Sequence, residues 1–279
     1  MIYIQLMGGL GNQLFQIFTG IAYALKYNIP FKIINYKYDK VSPLDNTSLR
    51  PTYFKNFLQN LSQYTCDYIN IPIYNEPQLT YNEIPYIAQD FKLIGYFQSP
   101  NYFESYKKEI LKLIDYSKYK QGVIDQFPLI TMSKTIALHF RIGDYAKKPL
   151  YHLILPISYY IQSLTLIQSI HKNNTYNVIY FYEKQDREII NTHISQLKQT
   201  FPNMNFLEAP GNFVDWEEML LISCCNHTII ANSTFSWWGA YLNENADKIV
   251  CYPNRWFGPE AGSMNNKDIC PDSWYKITI

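Results

Sequence analysis

Apolar and polar positions along this chain fall into blocks that switch repeatedly between the period of a strand and that of a helix. Residues 2 to 7 form a short apolar run that reads as a first strand. Gly8-Gly9-Leu10-Gly11-Asn12-Gln13 then makes a glycine-rich turn, and Leu14, Phe15, Ile17, Phe18, Ile21, Ala22 and Leu25 recur at spacings of three and four, one face of a helix. Asn28-Ile29-Pro30 closes that helix before a second strand, Phe31 to Ile34. This is a parallel α/β opening. Residues 40 to 90, broken by prolines and asparagines, read as loops and short helices, and Tyr102 to Ile114 as a helix with one buried side.

Beyond a boundary near 120 to 130 the alternation resumes. Strand Thr135 to Phe140, a helix around Tyr159 to Ile170, strand Asn177 to Tyr182 and helix Arg187 to Gln199 follow one another. A helix Trp216 to Cys225, strand Thr228 to Ala231, helix Phe235 to Leu242 and strand Lys248 to Tyr252 complete the series. Strands alternating with helices predict a doubly wound parallel sheet. The expected organisation is α/β with two Rossmann-like lobes, 1–125 and 126–279, and a ligand cleft.

Composition narrows the function. A net charge of +1 offers no general attraction to nucleic acid or an anionic membrane, so any anion must be bound locally. The five cysteines are odd in number and lack metal-ligand spacing, which with the absence of a signal-like or membrane-spanning apolar run predicts a cytoplasmic protein with no membrane span. No D-x-D, P-loop or G-x-S-x-G pattern occurs, and no metal site is expected.

Three clusters carry candidate chemistry. The first glycine turn would bring backbone N–H groups to an anion at a helix N-terminus, with Gly9 and Gly11 keeping the approach open and the amides of Asn12 and Gln13 beside it. It is not a dinucleotide fingerprint, because Leu14 stands where the third glycine belongs. The second cluster is His139-Phe140-Arg141-Ile142-Gly143-Asp144-Tyr145 at a strand's C-terminal end, where open α/β sheets bind ligands. Alternation puts His139 and Arg141 on one side, and arginine suits bidentate contact with phosphate. Two readings stand: Arg141 meets an anion, or it pairs with Asp144 while His139 is a satisfied core residue. The third, Asn232-Ser233-Thr234-Phe235-Ser236-Trp237-Trp238-Gly239, places two hydroxyls at another strand end, as helix caps or as ligand donors, and its tryptophans read equally as core. Upstream, Asp215, Glu217 and Glu218 sit at a helix start, where carboxylates suit the dipole.

Taken in order with Gly95-Tyr96-Phe97-Gln98-Ser99, Trp256-Phe257 and Pro271-Asp272-Ser273-Trp274, these segments resemble the α-1,2-fucosyltransferases over the whole chain. The resemblance implies an inverting, metal-independent enzyme of GT-B-like fold whose C-terminal lobe holds GDP-fucose and which fucosylates O2 of a galactose-terminated glycan. On it, Arg141 would clamp the β-phosphate, His139 would lie against the nucleotide, and Asn232, Ser233 and Thr234 would form the diphosphate cradle. Glu218, sixteen residues before Thr234, stands where related enzymes have a carboxylate that reads guanine. Asn12, on the acceptor-side lobe, would complete the site. Asp144 is either the base for the acceptor hydroxyl or the orienter of Arg141. The chain departs from the family pattern at Ile142, at Glu218 and at Tyr182-Glu183. Another GDP-sugar or linkage, and a non-catalytic nucleotide-sugar or glycan-binding module, are the alternatives.

Overall fold

The computed structural model describes residues 1–35, 51–172, 174–261 and 265–279; within the loop reading of residues 40 to 90, the segment 40–50 lies outside them. The chain forms two units, 1–119 with 265–271, and 120–264 with 272–279.

The first unit is built on β1 (Ile2–Gln5), α1 (Leu10–Tyr27), β2 (Phe31–Ile34), β3 (Thr65–Cys66), β4 (Ile73–Asn75), β5 (Phe91–Ile94) and α2 (Lys107–Leu113). Its five strands run parallel in the order β3-β2-β1-β5-β4. The apolar face read from the sequence is wider in the structure. Fourteen residues of α1 are buried, because the helix packs against the sheet and against Phe103, whose ring lies 5.9 Å from Phe15 and 5.5 Å from Phe18. That same phenylalanine corrects the helix expected over Tyr102 to Ile114. Its backbone, φ −141° and ψ −3°, leaves the helical region, so the segment is two 3₁₀ turns, Pro100–Tyr102 and Glu104–Tyr106, followed by α2. Within 51–90 the reading of loops and short helices also needs correction, since two- and three-residue strands, β3 and β4, close the edges of the sheet.

Helix α3 (Tyr116–Gln126) runs across the boundary, and α4 (Leu129–Met132) precedes the second sheet. That sheet alternates β6 (Thr135–His139), α5 (Ile157–Ile170), β7 (Asn177–Phe181), α6 (Arg187–Thr200), β8 (Asn205–Glu208), α7 (Asp215–Cys224), β9 (His227–Ile229), α8 (Thr234–Tyr241), β10 (Val250–Pro253) and β11 (Tyr275–Ile277). All six strands are parallel, in the order β11-β10-β9-β6-β7-β8. Every residue of β6 is buried, as a central strand covered on both faces requires. The α/β class and the two Rossmann-like lobes are those expected.

His227 opens β9 and ties it to β10. Its Nδ1 accepts from the Ile249 amide at 3.1 Å, so Nε2 carries the proton and faces the Tyr176 hydroxyl at 3.0 Å, with the His171 ring stacked 5.0 Å away. Burial, then the neighbouring His171 and Lys134, push its pKa down to about 4 from an ordinary 6.5. A folded pKa below the unfolded one makes the unfolded chain bind the extra proton first. Stability is therefore complete above pH 6.5 and falls as pH drops toward 4. The thermal midpoint should decline across that window, and His227→Asn, which keeps an acceptor for Ile249, should flatten part of the slope. An unchanged slope in the variant would assign the acid sensitivity elsewhere.

Candidate functional site

Strands β9, β6 and β7 are neighbours, and one polar cluster occupies their C-terminal ends. His139 is the last residue of β6. It is 6 % exposed, and its Nδ1 is buried without a hydrogen-bond partner. Burial, and after it the charge of Arg141, push its pKa down to about 3, so the ring is neutral at physiological pH. Its ring lies 5.4 Å from that of Phe235 on α8. His139 is thus a buried histidine with an open valence rather than a satisfied one.

Arg141 stands beyond the end of β6, so the loop and not strand alternation aims it. Its Nη2 donates to Asp144 Oδ1 at 2.7 Å and its Nη1 donates to Glu183 Oε1. The guanidinium carbon lies 5.3 Å from the centre of the Tyr145 ring. The pair with Asp144, one of the two readings of the motif, is present. The second carboxylate belongs to Glu183, which follows β7 at the same C-terminal end of the sheet. Ion pairs with exposed carboxylates are worth about 0–1 kcal/mol. Arg141 Nε, by contrast, is buried with no partner, and leaving such a group unpaired costs about 1–3 kcal/mol. A polar ligand or a water taking the Nε–H would offset that cost.

Asn232 follows β9 and links two other segments. Its Nδ2 donates to Leu153 O at 3.0 Å and to Trp256 O at 2.9 Å, while its Oδ1 is buried and unpaired. The Tyr145 hydroxyl donates to Asn232 O at 2.9 Å, and the Tyr145 ring stacks on His152 at 4.4 Å. Ser233 is extended, φ −138° and ψ 130°, and begins α8 without capping it through its side chain. Of the two readings for this serine, capping is not the one observed. Trp237 and Trp238 are fully buried core residues, Trp237 stacking on Tyr241 at 4.7 Å.

On α7, the Glu217 carboxylate accepts from Val214 N at 3.0 Å and that of Asp215 from Trp216 N at 2.8 Å, so these two cap the helix. Glu218 does not join them. Its pKa is pushed up to about 7, first by burial and then by Asp215, against the opposing charge of Lys184 in the loop that carries Glu183.

The first unit holds the other motif residues. Gly8 has φ +73°, a conformation that favours glycine, and Gly9 starts α1, where a Cβ would meet nothing within 4 Å. Gly11 lies in the first turn of that helix. Gln13 Nε2 donates to Gly8 O at 3.0 Å and to Pro51 O at 2.9 Å, and Gln16 binds both backbone groups of Met7. Asn12 Oδ1 accepts from Gln98 Nε2 at 3.0 Å, which joins the first glycine turn to the Gly95–Ser99 segment. That segment depends on a residue the sequence did not single out. The Glu76 carboxylate accepts from Tyr96 N at 2.7 Å and Phe97 N at 3.0 Å, holding Phe97 at φ 51°, an outlying value for an aromatic residue. Burial raises the Glu76 pKa. Among the described residues no group of three His, Cys, Asp or Glu is placed to hold a metal ion, and no helix is long and apolar enough to cross a membrane.

The family model described as Glycosyl transferase family 11 matches residues 1–278. An α-1,2-colitosyltransferase of Escherichia coli is 25 % identical over 99 % of this chain and 98 % of its own length. The O-antigen biosynthesis glycosyltransferase WbnK of Escherichia coli is 31 % identical over 68 % of this chain and 62 % of its own. Among solved structures, the fucosyltransferase NodZ from Bradyrhizobium aligns with a TM-score of 0.47 at 11 % identity, over 86 % of this chain and 92 % of that one.

The displaced pKa of Glu218 has a measurable sign. Between an ordinary 4.5 and about 7 the folded chain keeps a proton that the unfolded chain has released, so this carboxyl subtracts from stability as pH rises through that interval. Glu218→Gln should therefore match the wild type near pH 4.5 and melt higher than it at pH 8. An equal difference at both pH values would contradict the assignment.

Proposed function

The chain belongs to glycosyl transferase family 11, and on that footing we propose that it transfers L-fucose from GDP-fucose to O2 of a terminal galactose, inverting the anomeric carbon and using no metal ion. The observation that carries the reading is Arg141, a guanidinium with a buried, unpaired Nε beside a neutral His139 at the C-terminal end of a central strand. In the reaction the bond from C1 of fucose to the β-phosphate oxygen breaks, the acceptor oxygen bonds to C1 from the opposite face, and the hydroxyl proton passes to a base. Negative charge grows on the departing diphosphate. Arg141 stabilises it, with Ser233, Thr234 and the first amides of α8 as further donors and Asn232 holding their segment in place. Asp144 is engaged with Arg141, which favours its role as orienter.

Glu218 is the guanine-reading carboxylate in this scheme. Two N–H donors on the base's edge suit one carboxylate, and they would offset the desolvation that raises its pKa. In the first unit, Gly9, where a Cβ would meet nothing within 4 Å, leaves the start of α1 open to a negative group, with Gly11 in the first turn and Asn12 alongside.

A second reading keeps the linkage and changes the sugar. It is favoured by the relative named an α-1,2-colitosyltransferase, which matches along 99 % of the chain. GDP-fucose and other GDP-sugars, offered with lactose and N-acetyllactosamine in the presence of chelator, separate the two. Fucose on O2 of galactose, undiminished by chelator, is the expected product. A strict metal requirement, or transfer of a different sugar only, would overturn the corresponding part of the proposal.

Arg141→Lys keeps a positive charge and discards the planar fork. It should lower kcat/KM at least about a hundredfold with the fold intact by circular dichroism, the scale of losing one electrostatic contact to the transition state. Near-wild-type kcat/KM in folded Arg141→Ala would remove Arg141 from the reaction.

A further inference from the structure

The proposed role of Arg141 raises the question of what aims its guanidinium, and the structure assigns that task to Glu183, a positioning residue that holds Arg141 with its Nε–H edge free. Glu183 lies just after β7, and its neighbours are built to hold its carboxylate in place. Glu183 Oε1 accepts from Arg141 Nη1, and Oε2 accepts from Gln185 Nε2 at 2.8 Å. The Asp186 amide donates to Glu183 O at 2.8 Å, and Asp186 Oδ2 accepts from Gly143 N at 2.8 Å, which clips the loop after β7 to the loop bearing Arg141. Gly143 is part of the same arrangement. A Cβ there would collide with Glu183 Oε2, so a larger residue would displace the carboxylate from this position.

Arginine has five N–H donors in one plane. Glu183 and Asp144 each take one, on opposite terminal nitrogens, and this fixes the orientation of the plane, which is set by rotation about the Cδ–Nε bond. The Nε–H is left buried and unpaired. Two carboxylates around one guanidinium also leave the cluster with net negative charge, which opposes a diphosphate. Glu183 therefore has two separable effects: it orders the donor fork needed when charge develops, and it weakens ground-state binding of the anion. A side chain present only for folding would not divide its effects in this way.

This inference rests on the donor reading of Arg141, and its test distinguishes the two. The chain has four arginines, so the Nε–H resonances of a ¹⁵N-labelled sample are few, and Arg141→Lys identifies the one that belongs to Arg141. In the free protein that resonance should be sharp, and Glu183→Gln should broaden it without lowering the thermal midpoint by more than a few degrees. In calorimetry Glu183→Gln should bind GDP as tightly as wild type or tighter, yet its kcat for transfer should fall at least tenfold. Glu183→Asp, which keeps the charge, should recover most of that loss. Gly143→Ala should push the carboxylate aside and reproduce the broadening and the loss of kcat, and the double variant should be no worse than the poorer single one. An unchanged Arg141 resonance in folded Glu183→Gln, unchanged kcat, or a fall in kcat matched by an equal fall in GDP affinity would overturn the role of Glu183. A resonance that GDP does not move in the wild type would instead sink the donor reading of Arg141, while the broadening would still decide whether Glu183 holds it.

Discussion

The guanidinium of Arg141, pinned by Asp144 on one side and Glu183 on the other, is the contact on which the second unit's polar end depends. A cation at the edge of an apolar sheet must be paired or hydrated, and this one is paired through both terminal nitrogens while its buried Nε has no partner. The surroundings follow from that choice. Gly143 is small because the Glu183 carboxylate lies against it, and Tyr145, under the guanidinium, passes the constraint on to Asn232 through its hydroxyl. His139 is kept neutral by burial and by the same positive charge, so a single cation sets both the geometry and the ionisation of its neighbourhood.

The first unit solves a different problem with different groups. Its glycine turn has no charge to anchor it, so amide side chains do the work, Gln13 and Gln16 tying the turn's backbone in place from within α1. Amides suit this role because one side chain can both give and accept a hydrogen bond without a desolvated ion. Glu76 is the exception. It is a half-buried carboxylate that meets backbone amides instead of a cation, and it holds Phe97 in a conformation the chain would not otherwise adopt.

Much of this was legible in the amino-acid sequence where the period was long and unbroken. α1, α5, α6 and the central strands β1, β6 and β7 appear close to the expected positions, because a buried strand or one-sided helix needs several consecutive residues of the right kind. β3, β4, β8 and β11 escaped, being two to four residues long and too short to show a period. Phe103 broke a helix that local spacing favoured, because its burial against Phe15 and Phe18 outweighed propensity. At the site, a motif announced Arg141 and its partner Asp144, three residues away. Glu183, forty-two residues on, could be joined to it only by the pairing of β6 with β7. Glu76 gave no signal for the same reason, since its partners belong to a strand end twenty residues away.

The aromatic packing beneath α8 extends beyond the site. Trp237, Trp238 and Trp274 cluster there, and the remaining tryptophans, Trp216 and Trp256, also fall between 120 and 264 or 272 and 279. Every indole in the protein thus belongs to one unit, and intrinsic tryptophan fluorescence is blind to the other. Far-ultraviolet dichroism registers helices in both. The two optical signals, followed through the same denaturant series, would coincide only if the units unfold as one cooperative body, so the placement of five side chains gives this chain a built-in probe of whether its two halves are thermodynamically independent.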